Sequence, residues 1–426
     1  MEEVKVVCRG MAVEFVKDAP TIASFSVAQN WDEQKTSSLR AAIQSVLSAN
    51  PILTSCLETR KADNGQHEMV AMFHTFNLDE LFKIIPNSSS NLPAEEKPLN
   101  DMDQQELLAY LDQKIIPQFP SHVGQQTRLG GEEVKDKSPV FEVQMMELPG
   151  QYVCYTVLLS HCIGDGAIYY QVMEQLNSAF TSSSGTIETK AINWDGYDKM
   201  DMPTVGPHLV PHPLTILGLF VIGPKVFKKF GPKEAEPYIL LLSKKKINQK
   251  KIELVDHDND STTTTTTTRE YLTSNDIVVS ALCEAMLDDA TVHTQAVNMR
   301  YKLDDLEPND AGSYVLMSTL GAKEAAGNPN VVHKVNASGQ SNMSPWKSFL
   351  SLSRGKVVCN TSWTGLKCVL DGTVAHFPSK GFLRTRFRSN GSSYATVIFE
   401  YDDEALGILA TCPWKKGGLL ESILLD

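Results

Sequence analysis

Several signatures that would place a protein in a large class are missing from this chain of 426 residues. No two cysteines stand in C-x-x-C spacing. The eight present, Cys8, Cys56, Cys154, Cys162, Cys283, Cys359, Cys368 and Cys412, are scattered, which argues against a zinc ribbon or a disulfide scaffold and predicts buried or idle thiols of a reducing compartment. Basic charge is scarce: 39 Lys and Arg against 51 Asp and Glu give a formal net charge of −12, so the counterion-releasing footprint of a nucleic-acid binder is absent and no nucleic-acid partner is expected. Neither G-x-G-x-x-G nor G-x-x-x-x-G-K-[ST] occurs, so no glycine-rich phosphate loop is available. An apolar run of the length a bilayer requires, about 20 residues, is also lacking.

The run that comes nearest lies in PLTILGLFVIGPKVFKKFGPK (residues 213–233), apolar from Leu214 to Ile222 between Pro213 and Pro224. A buried helix or inter-lobe packing segment is expected there. The alternative is an interfacial anchor with Lys225, Lys228 and Lys229 turned to anionic headgroups. The opening MEEVKVVCRGMAVEF carries acid where a secretory signal needs base, so a cytoplasmic protein is expected, with peripheral membrane contact through 213–233 as the alternative.

What is there reads as a folded enzyme long enough for two domains. In WDEQKTSSLRAAIQSVLSANP, Leu39, Ala42, Ile43, Val46 and Leu47 recur at helical spacing, and Asn50-Pro51 ends the helix because proline disfavours a helical residue before it. Strands are predicted at ILTSCLETR, PVFEVQMMEL and QYVCYTVLLS, the last two joined by a hairpin at Pro149-Gly150. From Gly166 to Phe180 the period becomes helical again, with Ile168, Val172, Met173, Leu176 and Phe180 on one face. PNSSSNLPAEEKPLND (86–101) reads as a polar loop. The stretch 181–268, with its prolines, the lysine-rich SKKKINQKK and seven consecutive threonines at 262–268, reads as a long connection. A second half opens at LTSNDIVVSALCEAM, where Thr273 and Asp276 have capping-box spacing, and continues with predicted strands at GSYVLMSTL, SYATVIFEY and EALGILATC. The expected division is an N-terminal lobe over 1–185, a crossover connection over 186–268 and a C-terminal lobe over 269–426.

The chemistry concentrates in LLSHCIGDGAIYY, where His161, Asp165 and Gly166 form H-x-x-x-D-G between a strand end and a helix start. A side chain on such a loop is held by two rigid elements. A neutral imidazole near pKa 6.5 suits proton removal from an alcohol or amine. Gly166 lets the backbone pass closely. His208 and His212 stand four apart, but Pro207, Pro211 and Pro213 break any helix that would bring them to one metal, and no metal is expected.

In these positions the chain resembles the CoA-dependent acyltransferase superfamily of chloramphenicol acetyltransferase, BAHD acyltransferases, wax-ester synthases and condensation domains. SANPILTSCLE, HCIGDG, TSNDIVVSAL, AVNMRYKL and NTSWTGL look like its successive landmarks and span nearly the whole chain. The resemblance implies an α/β (α+β) fold of two chloramphenicol-acetyltransferase-like lobes, each a mixed sheet with flanking helices, and an active-site channel between them. It implies a monomeric acyltransferase that moves an acyl group from acyl-CoA to a hydroxyl or amine, with coenzyme A as substrate and no permanently bound cofactor. It implies His161 as general base, Asp165 as the residue that pairs with Arg300, Trp363 as an oxyanion donor, and Thr361 and Ser362 as substrate contacts. Coenzyme A phosphates would be met by Lys244, Lys245, Lys246 and Lys250 of SKKKINQKK, a run that otherwise serves solvation. LDGTVAHF keeps only Asp371 and Gly372 of the BAHD D-F-G-W-G, and Ser160 stands where condensation domains and wax-ester synthases place a second histidine, so the branch is left open. The rivals are a non-catalytic lipid-binding or membrane-associated member, and a condensation enzyme fed by a carrier-protein thioester.

Overall fold

The computed structural model describes residues 4–9, 13, 17–86, 97–182, 187, 189–195, 236–257, 271–286, 292–301, 306–312, 314–338, 341–344, 346–347, 357–366, 368–384, 394–411, 414–415 and 417–425. The apolar segment 213–233, the threonine run, His208, His212 and Cys412 lie outside the described residues. In chain order the elements used below are β1 (Val4–Arg9), β2 (Ile22–Ala28), α1 (Glu33–Ala49), β3 (Cys56–Lys61), β4 (His67–Met72) and β5 (Phe82–Ile84). Next come α2 (Gly130–Asp136), β6 (Phe141–Leu148), β7 (Tyr152–Leu159), α3 (Gly166–Thr181), β8 (Tyr238–Ser243), α4 (Lys244–His257) and α5 (Ser274–Ala285). The last are β9 (Val292–Asn298), β10 (Val315–Gly321), α6 (Pro329–Ser338), β11 (Val357–Ser362), β12 (Thr373–Pro378), β13 (Tyr394–Glu400) and β14 (Ala405–Ala410).

The chain forms two compact units that do not follow a single cut in the sequence: 300–314 and 366–389 fold with 1–201, while the rest of the chain forms the second unit. In the first unit β7 is central to a five-stranded sheet, β12-β2-β7-β6-β5, and all eight of its residues are buried. Burial on both faces explains why YVCYTVLL is apolar without alternation. The β6–β7 hairpin turns where Gly150 and Gln151 take φ of 78° and 63°; the glycine adopts this left-handed conformation without a Cβ penalty. Helix α1 starts at Asp32, whose carboxylate accepts from the Lys35 N–H, and buries Leu39, Ala42, Ile43, Val46 and Leu47, the face its periodicity predicts. It ends at Asn50, whose amide donates to the Val46 carbonyl at 2.9 Å and to Gln175 of α3 at 2.7 Å and accepts from the Trp194 indole at 2.8 Å. These bonds tie the two helices and the 189–195 segment together. The first unit also holds a smaller sheet, β1-β4-β3.

The second unit is built on a six-stranded sheet, β10-β9-β11-β13-β14-β8, in which β11 runs parallel to β9 and β13. Helix α5 has the capping box expected of Thr273 and Asp276 and buries Val278, Ala281 and Leu282 against Leu320, Val358 and Ile398 of the sheet. Residues 238–257, expected inside a connection, are instead strand β8 and helix α4. YILLLS is long enough for an edge strand on β14. The lysines of α4 obscure a seven-residue spacing that buries Ile247 and packs Leu254 on the core. Among the described residues no helix is long and apolar enough to cross a membrane, no cluster of His, Cys, Asp and Glu could hold a metal, and the cysteines are free thiols.

Candidate active site

Strand β7 leaves the sheet at Ser160, and the chain turns at once. The Ser160 N–H donates to Val140 at 2.7 Å, and the Ile163 N–H donates back to the Ser160 carbonyl at 3.1 Å. His161 stands on this turn, partly exposed between the buried Ser160 and Cys162. Gly164 follows and forms a parallel bridge to Gly312. A Cβ on Gly164 would lie 2.7 Å from the Ile168 side chain, so the return into α3 needs glycine here. Gly166 opens the helix.

Asp165 does not share the exposure of His161. Only 2% exposed, it is the N-cap of α3, where one carboxylate oxygen accepts from the N–H groups of Ala167 at 3.1 Å and Ile168 at 3.3 Å. The other accepts from Arg300 Nη1 at 2.6 Å and from the Tyr314 N–H at 3.2 Å. Arg300, equally buried, also donates to backbone, with Nε to Asp310 at 2.9 Å and Nη2 to Gly312 at 2.8 Å, while its guanidinium lies 4.9 Å from the centroid of the Tyr314 ring. The segment carrying those carbonyls is pinned in turn by Asp310, which accepts from the Asn193 amide at 2.7 Å and from the Glu307 N–H at 2.8 Å. With both oxygens engaged and almost no solvent access, Asp165 ties the turn to Arg300 and Tyr314, while His161 beside it is partly exposed.

On the other side of the turn, a second carboxylate meets it from α2. Glu133, 1% exposed, accepts from the hydroxyls of both Thr21 and Ser160. Burial pushes its carboxyl up to about 7, against the pull of the Ser160 and Thr21 hydroxyls and of Arg128. Nothing in GGEEVKD distinguishes Glu133 from a solvated acid, so sequence reasoning missed it. The serine at 160 was the available signal.

The remaining sequence-predicted residues belong to the second unit. Thr361 and Ser362 end β11, and Trp363, 4% exposed, follows them with its backbone N–H donated to the Ile398 carbonyl at 2.7 Å. The Ser362 hydroxyl bonds that of Thr364 at 2.8 Å. The lysines lie on α4. Lys244 pairs with Glu400 and donates to the Asp402 carbonyl at 2.7 Å, Lys246 donates to the Leu424 carbonyl at 2.9 Å, and Lys250 pairs with Glu253 at 2.7 Å. Lys245 is exposed.

No family model matches the chain, and no curated protein matches it by sequence. Solved structures do. TRI101 of F. sporotrichioides, crystallised with coenzyme A and T-2, superposes with a TM-score of 0.55 at 12% identity over 93% of this chain and 92% of its own. Polyketide synthase associated protein 5 of Mycobacterium tuberculosis gives 0.51 at 14% identity over 98% and 96%. The first condensation domain of the CDA synthetase gives 0.53 at 10% identity over 95% and 90%. At such identities the likeness establishes the fold, which is the mixed α/β chloramphenicol-acetyltransferase-like architecture that the motifs implied.

Proposed function

We propose that this chain, sharing its fold with proteins of that kind, is an acyltransferase that moves an acyl group from an acyl-CoA thioester to a hydroxyl or amine. One observation carries the reading. The H-x-x-x-D-G turn presents His161 and withdraws Asp165 into a buried bond with Arg300 at 2.6 Å. His161 takes the proton of the acceptor, the acceptor oxygen or nitrogen adds to the thioester carbonyl, the C–S bond breaks, and the departing coenzyme A thiolate collects the proton from the imidazolium. The indole N–H of Trp363 is the proposed donor to the developing oxyanion, a role worth about 3 kcal/mol where such donors are preorganised. Thr361 and Ser362 are the proposed substrate contacts. A phosphate reaching α4 would compete with the carbonyls and carboxylates that already engage Lys244, Lys246 and Lys250, so Lys245 is the first of the four to test by charge reversal.

The test is thiol release across acyl-CoA donors from acetyl to long-chain, each with alcohol and amine acceptors, for the wild type, His161→Ala and Trp363→Phe. Loss of general base catalysis predicts a fall of about 10²- to 10⁴-fold for His161→Ala. Unchanged turnover in that variant would refute the assignment. The likeness to a condensation domain supports a second reading, in which the donor is a carrier-protein thioester. Acyl-carrier protein offered against free acyl-CoA separates the two.

A further inference from the structure

The turn that bears His161 is held at two points, and the Asp165 side explains only one of them. The other is Ser160, fully buried, one residue before the imidazole. Its hydroxyl donates to Glu133 and accepts from the Cys162 N–H at 3.3 Å, so a single side chain brackets His161 from both neighbours. Glu133 is itself anchored. Its second oxygen accepts from Thr21, and α2 is tied to the chain before β2 by the Gly130 N–H on Ala19 at 3.0 Å and the Thr21 N–H on Arg128 at 2.8 Å. A buried carboxylate that accepts two hydroxyl protons is a fixed point, because releasing either leaves charge without compensation in a dry site.

We infer that Glu133 is a positioning residue whose carboxylate grips the Ser160 hydroxyl and thereby sets the turn from which His161 projects. This deepens the acyltransferase reading and rests on it for its kinetic consequence, though not for its geometric one. The grip depends on charge. Burial raises the Glu133 carboxyl to about 7, Glu132 reinforces the rise, and Arg128 and the two hydroxyls oppose it. The neighbouring Cys162 thiol is held far above its ordinary value by burial and does not compete for the proton. Above neutrality Glu133 is an acceptor on both oxygens; below it, one oxygen carries a proton and the grip loosens.

Two measurements on wild type, Glu133→Gln, Ser160→Ala and the double variant test this. The first needs no substrate: diethyl pyrocarbonate modification of neutral imidazole, resolved by peptide, at His161 and at the exposed His67 as internal reference. The His161-to-His67 ratio is expected to change at least about threefold in Ser160→Ala, and to differ between Glu133→Gln and wild type above pH ~7 while converging below it. The second is thiol release, where each single variant is expected to lower kcat about tenfold or more with KM little changed, and the double variant to be no worse than Ser160→Ala, because the two act through one bond. Thermal melting checks that the variants are folded, and Ser160→Ala, which removes one oxygen, keeps the test decisive where Glu133→Gln does not fold. An unchanged modification ratio and pH profile in folded Ser160→Ala would overturn the inference even with His161 confirmed as the base. A changed ratio without wild-type turnover would instead sustain the geometry and defeat the function.

Discussion

Replacing Arg300 by alanine perturbs the candidate site at a buried ion pair. The guanidinium and the Asp165 carboxylate are 0% and 3% exposed as side chains and 2.6 Å apart, so removing one leaves the other charged in a place water does not reach. Breaking a buried pair from one side costs about 3–5 kcal/mol. The carbonyls of Asp310 and Gly312 lose these donors as well. Helix α3 reports it best, because Asp165 caps that helix. Native-state hydrogen exchange of the α3 amides is expected to accelerate about 10²- to several 10³-fold, the free energy converted at 1.36 kcal/mol per decade. Helix α5 of the second unit serves as the control and is expected to keep its protection. The double variant Asp165→Asn with Arg300→Met is expected to cost less than the sum of the singles, since both charges leave together. An acceleration below about tenfold in α3 for Arg300→Ala would show that the pair carries no structural weight, and the reasoning that withdraws Asp165 from chemistry would fail with it.

Two further predictions concern the second unit. A Cβ at Gly407 would lie 2.1 Å from the Phe399 ring across the β13–β14 pair, so Gly407→Ala is expected to destabilise by about 1–3 kcal/mol, seen as an earlier urea transition of that unit; an unshifted midpoint would contradict it. His293, fully buried on β9, is pushed down from 6.5 to about 4 by burial, with the Asn360 hydrogen bond opposing. The unfolded chain therefore binds a proton that the folded one refuses between those values, and stability must fall as pH drops, by about 2 kcal/mol from pH ~7 to pH ~5. His293→Gln is expected to flatten that slope, and an equal slope in both proteins would refute the assignment.

Local periodicity carried the elements that build the site. The faces of α1 and α5, the β6–β7 hairpin and the change from strand to helix around His161 are each written within about a dozen residues, the range over which the 3.6 and 2.0 repeats are legible. Strand β8 and helix α4 escaped because lysines and a neighbouring proline-rich, low-complexity stretch hid the spacing that buries Ile247 and packs Leu254. The pairing of Asp165 with Arg300 was reached through family resemblance, since no local pattern joins residues 135 positions apart.

What the chain determined by itself is therefore the segments with a legible local repeat, and the placement of His161 and Asp165 on the turn between a strand and a helix. Tertiary structure alone decided that the Asp165 and Glu133 carboxylates are both sealed and which hydroxyls hold the second, that β12 joins the sheet of the first unit, and that the backbone is crowded at Gly164. The physical reason is that burial and hydrogen-bond partnership are properties of where distant segments return to, and a side chain such as Glu133 acquires its altered acidity only after Thr21 and Ser160 have closed around it.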